Sequence, residues 1–130
     1  MSEVCYSSKI YYDDTDAGGV VYYANYLKLC ERAKQEFFLK HGCDLFKLHF
    51  ENIYLVVKEV KANYIKSILL GEDVDVSVVI NKIRKASLSL HFDILCKDEL
   101  RASIDIISVA VKEGSKIVRL PECIQNLPMK

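Results

Sequence analysis

No stretch of this sequence approaches the roughly 18 consecutive apolar residues that a membrane helix requires. The opening residues, Met-Ser-Glu-Val-Cys-Tyr, contain no basic run leading into an apolar one, so the cytoplasm is the simplest expected setting. C-x-x-C pairs are missing too. Cys5, Cys30, Cys43, Cys96 and Cys123 are odd in number and widely scattered, which fits neither a disulfide framework nor a zinc site. Each reads as a small buried hydrophobe or a free thiol. Neither sign of charge is in excess: 18 basic residues face 18 acidic ones, which argues against a globally basic nucleic-acid binder. Also absent are a G-x-S-x-G elbow, a P-loop, a dinucleotide fingerprint and an H-E-x-x-H metal helix. With no internal repeat or linker, 130 residues of which about half are apolar predict a single domain over 1–130 with one core.

What is present divides into a helical part and a strand-rich part. Residues Val4 to Tyr12 favour β structure and run into Asp13-Asp14-Thr15-Asp16-Ala17-Gly18-Gly19, a cluster of turn formers. From about Ala24 to His41, the stripe Tyr26, Cys30, Ala33 and Phe37, widened by Leu27, Leu29 and Phe38, predicts one long amphipathic helix with Gly42 after its end. A connecting region spans Asp44 to Asn52. Period two then takes over: Tyr54, Val56, Val60, Ala62 and Tyr64, interrupted by Lys58, then Val74 to Ile80, then Leu88 to Ile94, then about Leu100 to Lys112 after a hairpin at Lys97-Asp98-Glu99. The last strand becomes apolar on both faces. One helix covers only part of one face of such a sheet, so the class is α+β with the remaining apolar surface buried against another copy of the chain. Pro121 to Leu127 suggests a short final helix.

The order strand, acidic loop, glycines and helix has a chemical use. Free N–H groups at a helix start, aided by a dipole of about half a charge, polarise a carbonyl and stabilise the oxyanion made when it is attacked. A carboxylate facing them, Asp16, acts either as general base on water or as nucleophile. With a reference pKa near 3.9 it is a weak base, so positioning has to supply much of the acceleration. A thiol of pKa about 8.5 leaves as thiolate without an acid, whereas an amine or alkoxide does not. Such a loop also serves simply as a turn and N-cap.

Residues 11 to 26, Tyr-Tyr-Asp-Asp-Thr-Asp-Ala-Gly-Gly-Val-Val-Tyr-Tyr-Ala-Asn-Tyr, resemble the signature of the 4-hydroxybenzoyl-CoA thioesterase-like hotdog family, and most nearly its Tol-Pal-associated acyl-CoA thioesterase subfamily. The match is strong at D-x-D-x-x-G-x-V and continues through Glu31-Arg32. It implies a hotdog fold, one long central helix wrapped by a five-stranded antiparallel sheet, and hydrolysis of acyl-CoA to free acid and coenzyme A. Asp16 is then catalytic, with the oxyanion donor on or beside Tyr23, and Gly19, Tyr22 and Asn25 near the substrate. No metal is implied, and no cofactor beyond the coenzyme A of the substrate. Many members carry histidine where this chain has Tyr23, so no imidazole stands at that position here. The competing reading is a non-catalytic module that binds acyl-CoA or acyl carrier protein.

Around this centre, Asp13 and Asp14 read as turn and capping residues. Glu31 reads as a surface partner of Lys34 and Gln35. Lys82, Arg84, Lys85 and Ser87 form a basic turn suited to phosphates, and equally explained as a solvated hairpin. The resemblance assigns coenzyme A contact to Arg84, Lys85 and Ser87. His41, His49 and His91 lie outside the signature and read as structural. The expected partners are acyl-CoA, possible acyl carrier protein, and further copies of the chain as a dimer or a dimer of dimers (a homotetramer), with no nucleic acid and no membrane span.

Overall fold

The helical stripe folds as its spacing requires. In the computed structural model, which describes residues 3–129, α1 (Asn25–Lys40) buries Tyr26, Leu29, Cys30, Ala33, Phe37 and Phe38. It stops where glycine permits it to. Gly42 adopts a φ of +82°, the Cys43 N–H bonds the Phe38 carbonyl at 2.8 Å and the Gly42 N–H bonds Leu39 at 3.1 Å, a Schellman ending.

Against this helix lies an antiparallel sheet of five long strands: β1 (Glu3–Lys9), β2 (Ile53–Tyr64), β3 (Asp73–Ile83), β4 (Ser87–Cys96) and β5 (Glu99–Lys112), in the order β1-β3-β4-β5-β2. The period-two residues explain which face turns inward. On β4, Leu88, Leu90, Phe92, Ile94 and Cys96 are buried, while Ser87, Ser89, His91 and Asp93 face outward. Val74, Val76, Val78 and Ile80 do the same on β3. Lys97 and Asp98, both at positive φ, make the tight turn into β5.

Five details depart from the expectations. First, β1 ends at Lys9, because Asp14 Oδ2 accepts the Tyr11 N–H at 2.9 Å and closes a 3-10 turn over Tyr12–Asp14. Second, the connecting region holds α2 (Leu45–Phe50), capped by Asp44, whose side chain accepts the Phe46 and Lys47 N–H groups; six residues are too short to display a helical period. Third, Lys58 is an extra residue in β2, a bulge between Val57 and Glu59 that reverses the alternation. Val57 and Val60, an odd number apart, therefore both face α1. Fourth, a two-residue β6 (Lys116–Ile117) pairs with β5, and the final helix α3 is shorter than expected, Glu122–Gln125. Fifth, Cys43 and Cys123 are joined, their Cα atoms 5.3 Å apart, across 80 residues. This corrects the reading of those two as free or merely packed. Only the fold brings the end of α1 to α3, and no sequence spacing encodes that. Cys5, Cys30 and Cys96 are free.

On the outer face of the sheet, His91 Nδ1 lies 2.8 Å from Asp105 and Nε2 2.9 Å from Asp93. Partial burial pulls the imidazole pKa down, but hydrogen bonds and charge from Asp105 and Asp93 outweigh it and raise it overall. The stabilisation is therefore full below about pH 6.5 and is lost as pH rises through the raised value. Urea melts of wild type and His91→Asn should differ most at pH 5.5 and converge toward pH 8.5, by under about 1 kcal/mol for so exposed a cluster.

Candidate active site

The loop that carries Asp16 is a tight reversal stitched to its neighbours. The Asp16 N–H bonds the Val20 carbonyl at 3.0 Å, the Gly19 N–H bonds the Asp16 carbonyl at 3.0 Å, and Thr15 bridges Val21. Gly19 sits at φ +75°, a conformation that costs a residue with a Cβ. Its carbonyl accepts the Leu70 N–H, and the Val21 N–H reaches Ile68, so residues 68–70 form the loop's backing.

Asp16 divides its two oxygens. Oδ1 accepts the Gly18 N–H at 2.9 Å and lies 3.5 Å from the Val20 N, and so it holds the turn. Oδ2 has no protein partner among the described residues, and the side chain is exposed. One carboxylate oxygen is structural and the other is free to meet a ligand.

A few residues on, α1 begins without a side-chain cap. Ala24 stands at the N-cap, a position where Ser, Thr, Asp or Asn is stabilising and alanine is not. Among the described residues the Tyr23 and Ala24 N–H groups find no acceptor in the chain. The helix start thus forgoes about 1 kcal/mol of capping and leaves donors open to a ligand. Tyr23 is 74% exposed; its carbonyl accepts the Tyr64 hydroxyl at 3.2 Å, which ties the helix start to β2. A cavity of about 280 Å³ opens beside it, between Val20, Tyr23, Tyr26, Tyr64 and Lys66.

A family model described as the thioesterase-like superfamily matches residues 11–127. The chain belongs to that superfamily. An acyl-CoA thioesterase of Helicobacter pylori, YbgC, is 39% identical over 88 residues, which span 68% of this chain and 64% of that one. Its counterpart from Haemophilus influenzae, also an acyl-CoA thioesterase, is 30% identical over 110 residues, spanning 84% and 80%. The match thus covers just under two thirds of the first relative's length. In shape, the 1,4-dihydroxy-2-naphthoyl-CoA thioesterase of Synechocystis aligns with a TM-score of 0.85 at 20% identity, over 94% of this chain and 92% of that one, a likeness that speaks for the fold alone. The hotdog arrangement and the subfamily read from residues 11–26 agree with these relatives.

Within this superfamily member the other singled-out residues fall into two groups. Near the loop, the Tyr22 carbonyl accepts the Asn25 N–H at 2.9 Å, and its ring is exposed. Asn25 is only 2% exposed; its amide N–H donates to Asp14 Oδ1 at 3.0 Å and braces the loop from beneath, while its own Oδ1 has no partner among the described residues. Asp14 is the turn and capping residue it was read to be.

Arg84, Lys85 and Ser87 are not brought to Asp16 within one chain. The Arg84 N–H bonds the Ser87 carbonyl in the β3–β4 turn. That turn lies at the far end of β3 from Asp73, whose partner Lys9 leads into the Asp16 loop. Eleven residues at about 3.3 Å each separate the two ends. The three histidines lie elsewhere: His41 meets Glu3 at 3.0 Å, His49 packs edge-to-face with Phe50 and Tyr54, and His91 holds the outer sheet face.

Sequence reasoning missed the brace behind the loop. Arg101, buried, forms a bidentate pair with Glu72 at 2.9 and 2.8 Å, meets Glu99 at 2.7 Å and donates to the Ser67 carbonyl at 2.8 Å. It secures the segment that backs Gly19 and Val21. An arginine in an alternating strand gives no signal of this, because Ser67 and Glu72 lie 34 and 29 residues earlier in the chain.

Proposed function

We propose that this chain hydrolyses acyl-CoA thioesters to a carboxylic acid and coenzyme A. The observation that carries the proposal is the pairing of a free Asp16 oxygen with an uncapped helix start. The thioester carbonyl oxygen takes the N–H near Tyr23, and Asp16 directs water at the carbonyl carbon or attacks it itself. The tetrahedral intermediate collapses with loss of a thiolate, which needs no acid to leave at neutral pH. Tyr23 contributes its main chain, which replacement of histidine by tyrosine leaves intact. Release of free thiol from an acyl-CoA panel tests the reading. Stoichiometric binding without release at every chain length would favour the alternative, a module that retains acyl-CoA or acyl carrier protein.

The complete site is proposed to need two copies of the chain. β2 is an edge strand with Val56, Val57 and Val60 exposed. Pairing of two β2 edges about a twofold axis runs antiparallel and hides that surface. Ile53 of one copy then lies toward Tyr64 of the other. In register, Ser87 is level with Val109, which faces Val56, whereas the Tyr64 hydroxyl bonds Tyr23. The partner's basic turn is thereby carried to the Asp16 end, where Arg84, Lys85 and Ser87 meet the phosphates of coenzyme A. Arg84→Ala with Lys85→Ala should raise KM for acyl-CoA about tenfold for each positive charge removed, most at low salt. A thioester of N-acetylcysteamine, which lacks phosphates, should be indifferent to the change.

The proposed setting is the cytoplasm, which the three free thiols fit and the Cys43–Cys123 bond does not. Among the described residues, no helix is long and apolar enough to cross a membrane.

A further inference from the structure

Three cavities follow one another along a single stripe of α1. The first, beside the helix start, touches Tyr23 and Tyr26. The second, about 230 Å³, touches Leu27, Cys30, Glu31 and Lys34. The third, about 380 Å³, touches Glu31, Lys34 and Gln35 before it reaches α2. β2 supplies the opposite wall in reverse order, Tyr64, then Val60 and Val57, then Leu55 to Ile53. Among the described residues, only Glu31 and Lys34 border both the second and the third cavity.

At that joint sits an ion pair in an unusual place. Lys34 Nζ lies 2.8 Å from Glu31 Oε1, with the lysine side chain only 7% exposed and the glutamate 46%. Gln35 Nε2 holds the other Glu31 oxygen at 2.8 Å. Glu31 is Lys34's sole polar partner among the described residues, so two of three ammonium protons are left for the little water that reaches the joint. The walls on the near side are Leu27, Cys30, Val57, Leu90, Phe92 and Ile106. An apolar chain is welcome up to the pair and unwelcome across it, because passing it strips water from a charge that has one partner.

We propose that the Glu31–Lys34 pair is a gate that sets the acyl length this site accepts. The inference rests on the proposed thioesterase reading. With the carbonyl at the Tyr23 N–H, the helix runs about 12 Å to Glu31, at 1.5 Å per residue. An extended chain advances about 1.25 Å per carbon, given bonds near 1.5 Å in a staggered zigzag, so about ten carbons reach the gate. The first and middle cavities, about 280 and 230 Å³, share this length, and one of about 150 Å³ already holds the six carbons of benzene.

The test is kcat/KM for thiol release from hexanoyl-, decanoyl-, tetradecanoyl- and hexadecanoyl-CoA with the full chain and its Lys34→Met and Lys34→Arg variants. Wild type should be best near decanoyl and fall beyond it. Lys34→Met should raise the hexadecanoyl-to-decanoyl ratio by about tenfold or more, the scale on which a pocket discriminates methylenes, whereas Lys34→Arg should keep the wild-type ratio. Were Lys34→Met to misfold, as judged by circular dichroism, Lys34→Gln gives the same comparison. A folded neutral variant with an unchanged ratio, or a wild type already best at hexadecanoyl, overturns the gate. Absence of thiol release at every length would instead overturn the thioesterase reading itself.

Discussion

Asp16→Asn is expected to leave a folded protein whose thioester turnover falls by about 10² to 10⁴, the range of a lost general base. Asparagine is the informative replacement because the two oxygens of Asp16 do different things. The amide oxygen can still accept the Gly18 N–H that Oδ1 accepts now, so the reversal and its bonds to residues 68–70 should survive. What disappears is the negative charge and the free oxygen. Asp16→Ala removes the turn acceptor as well, so it should lose about 1 kcal/mol of stability in addition. Thermal melts beside thiol-release rates separate the two effects. Undiminished turnover by folded Asp16→Asn would remove Asp16 from the reaction. If the carboxylate is the nucleophile and water then opens the mixed anhydride at the Asp16 carbonyl, a single turnover in ¹⁸O-water puts an unlabelled enzyme oxygen in the first product and the label in Asp16; if it is a base, the product carries the label and Asp16 does not.

The second large effect is expected at Arg101. Its guanidinium is chiefly what holds the Glu72 carboxyl at about 2, against the opposing pull of partial burial and with help from the Leu69 N–H. Arg101→Met leaves Glu72 without its guanidinium partner, with only the Leu69 N–H remaining, and the Ser67 carbonyl without the Arg101 donor, and should cost about 2 to 4 kcal/mol, the lower end because water reaches Glu72. Turnover should fall as well, since residues 68–70 lose their anchor and the Asp16 loop loses its backing. The pH dependence follows from the sign of the shift. A depressed carboxyl pKa gives stability that is full above about pH 4.5 and is lost as pH falls toward 2. The gap in unfolding free energy between wild type and Glu72→Gln should therefore be widest at pH 6 and narrow between pH 4 and pH 2. A gap constant with pH would show that the pair contributes packing and no charge linkage.

Helix α1 and strands β3 to β5 were legible because their side chains repeat at 3.6 or 2 residues, and burial enforces the repeat along many consecutive positions. The Schellman ending at Gly42 was legible for a similar local reason. β2 was legible as a strand, but its inward face was not. One unpaired residue, Lys58, reverses everything after it, and nothing in the local composition shows on which side of a bulge the chain resumes. α2 is too short to have a period and rests on a single cap at Asp44.

For the site, the chemistry available was already written in the order of residues. Three aspartates and two glycines just ahead of an amphipathic helix place a turn, a carboxylate and a helix start within a dozen residues, because turns are local interactions; that the helix start lacks a side-chain cap is seen only in the structure. Which groups lie beside that loop, and which lie far from it, was decided in three dimensions. Asn25 turned inward to Asp14, Arg101 and Glu72 met behind the loop, Cys43 met Cys123, and the basic turn at Arg84 fell at the opposite end of the sheet from Asp16. Each depends on strand order and register, which are set by burial of the whole apolar face and not by any short stretch of the chain.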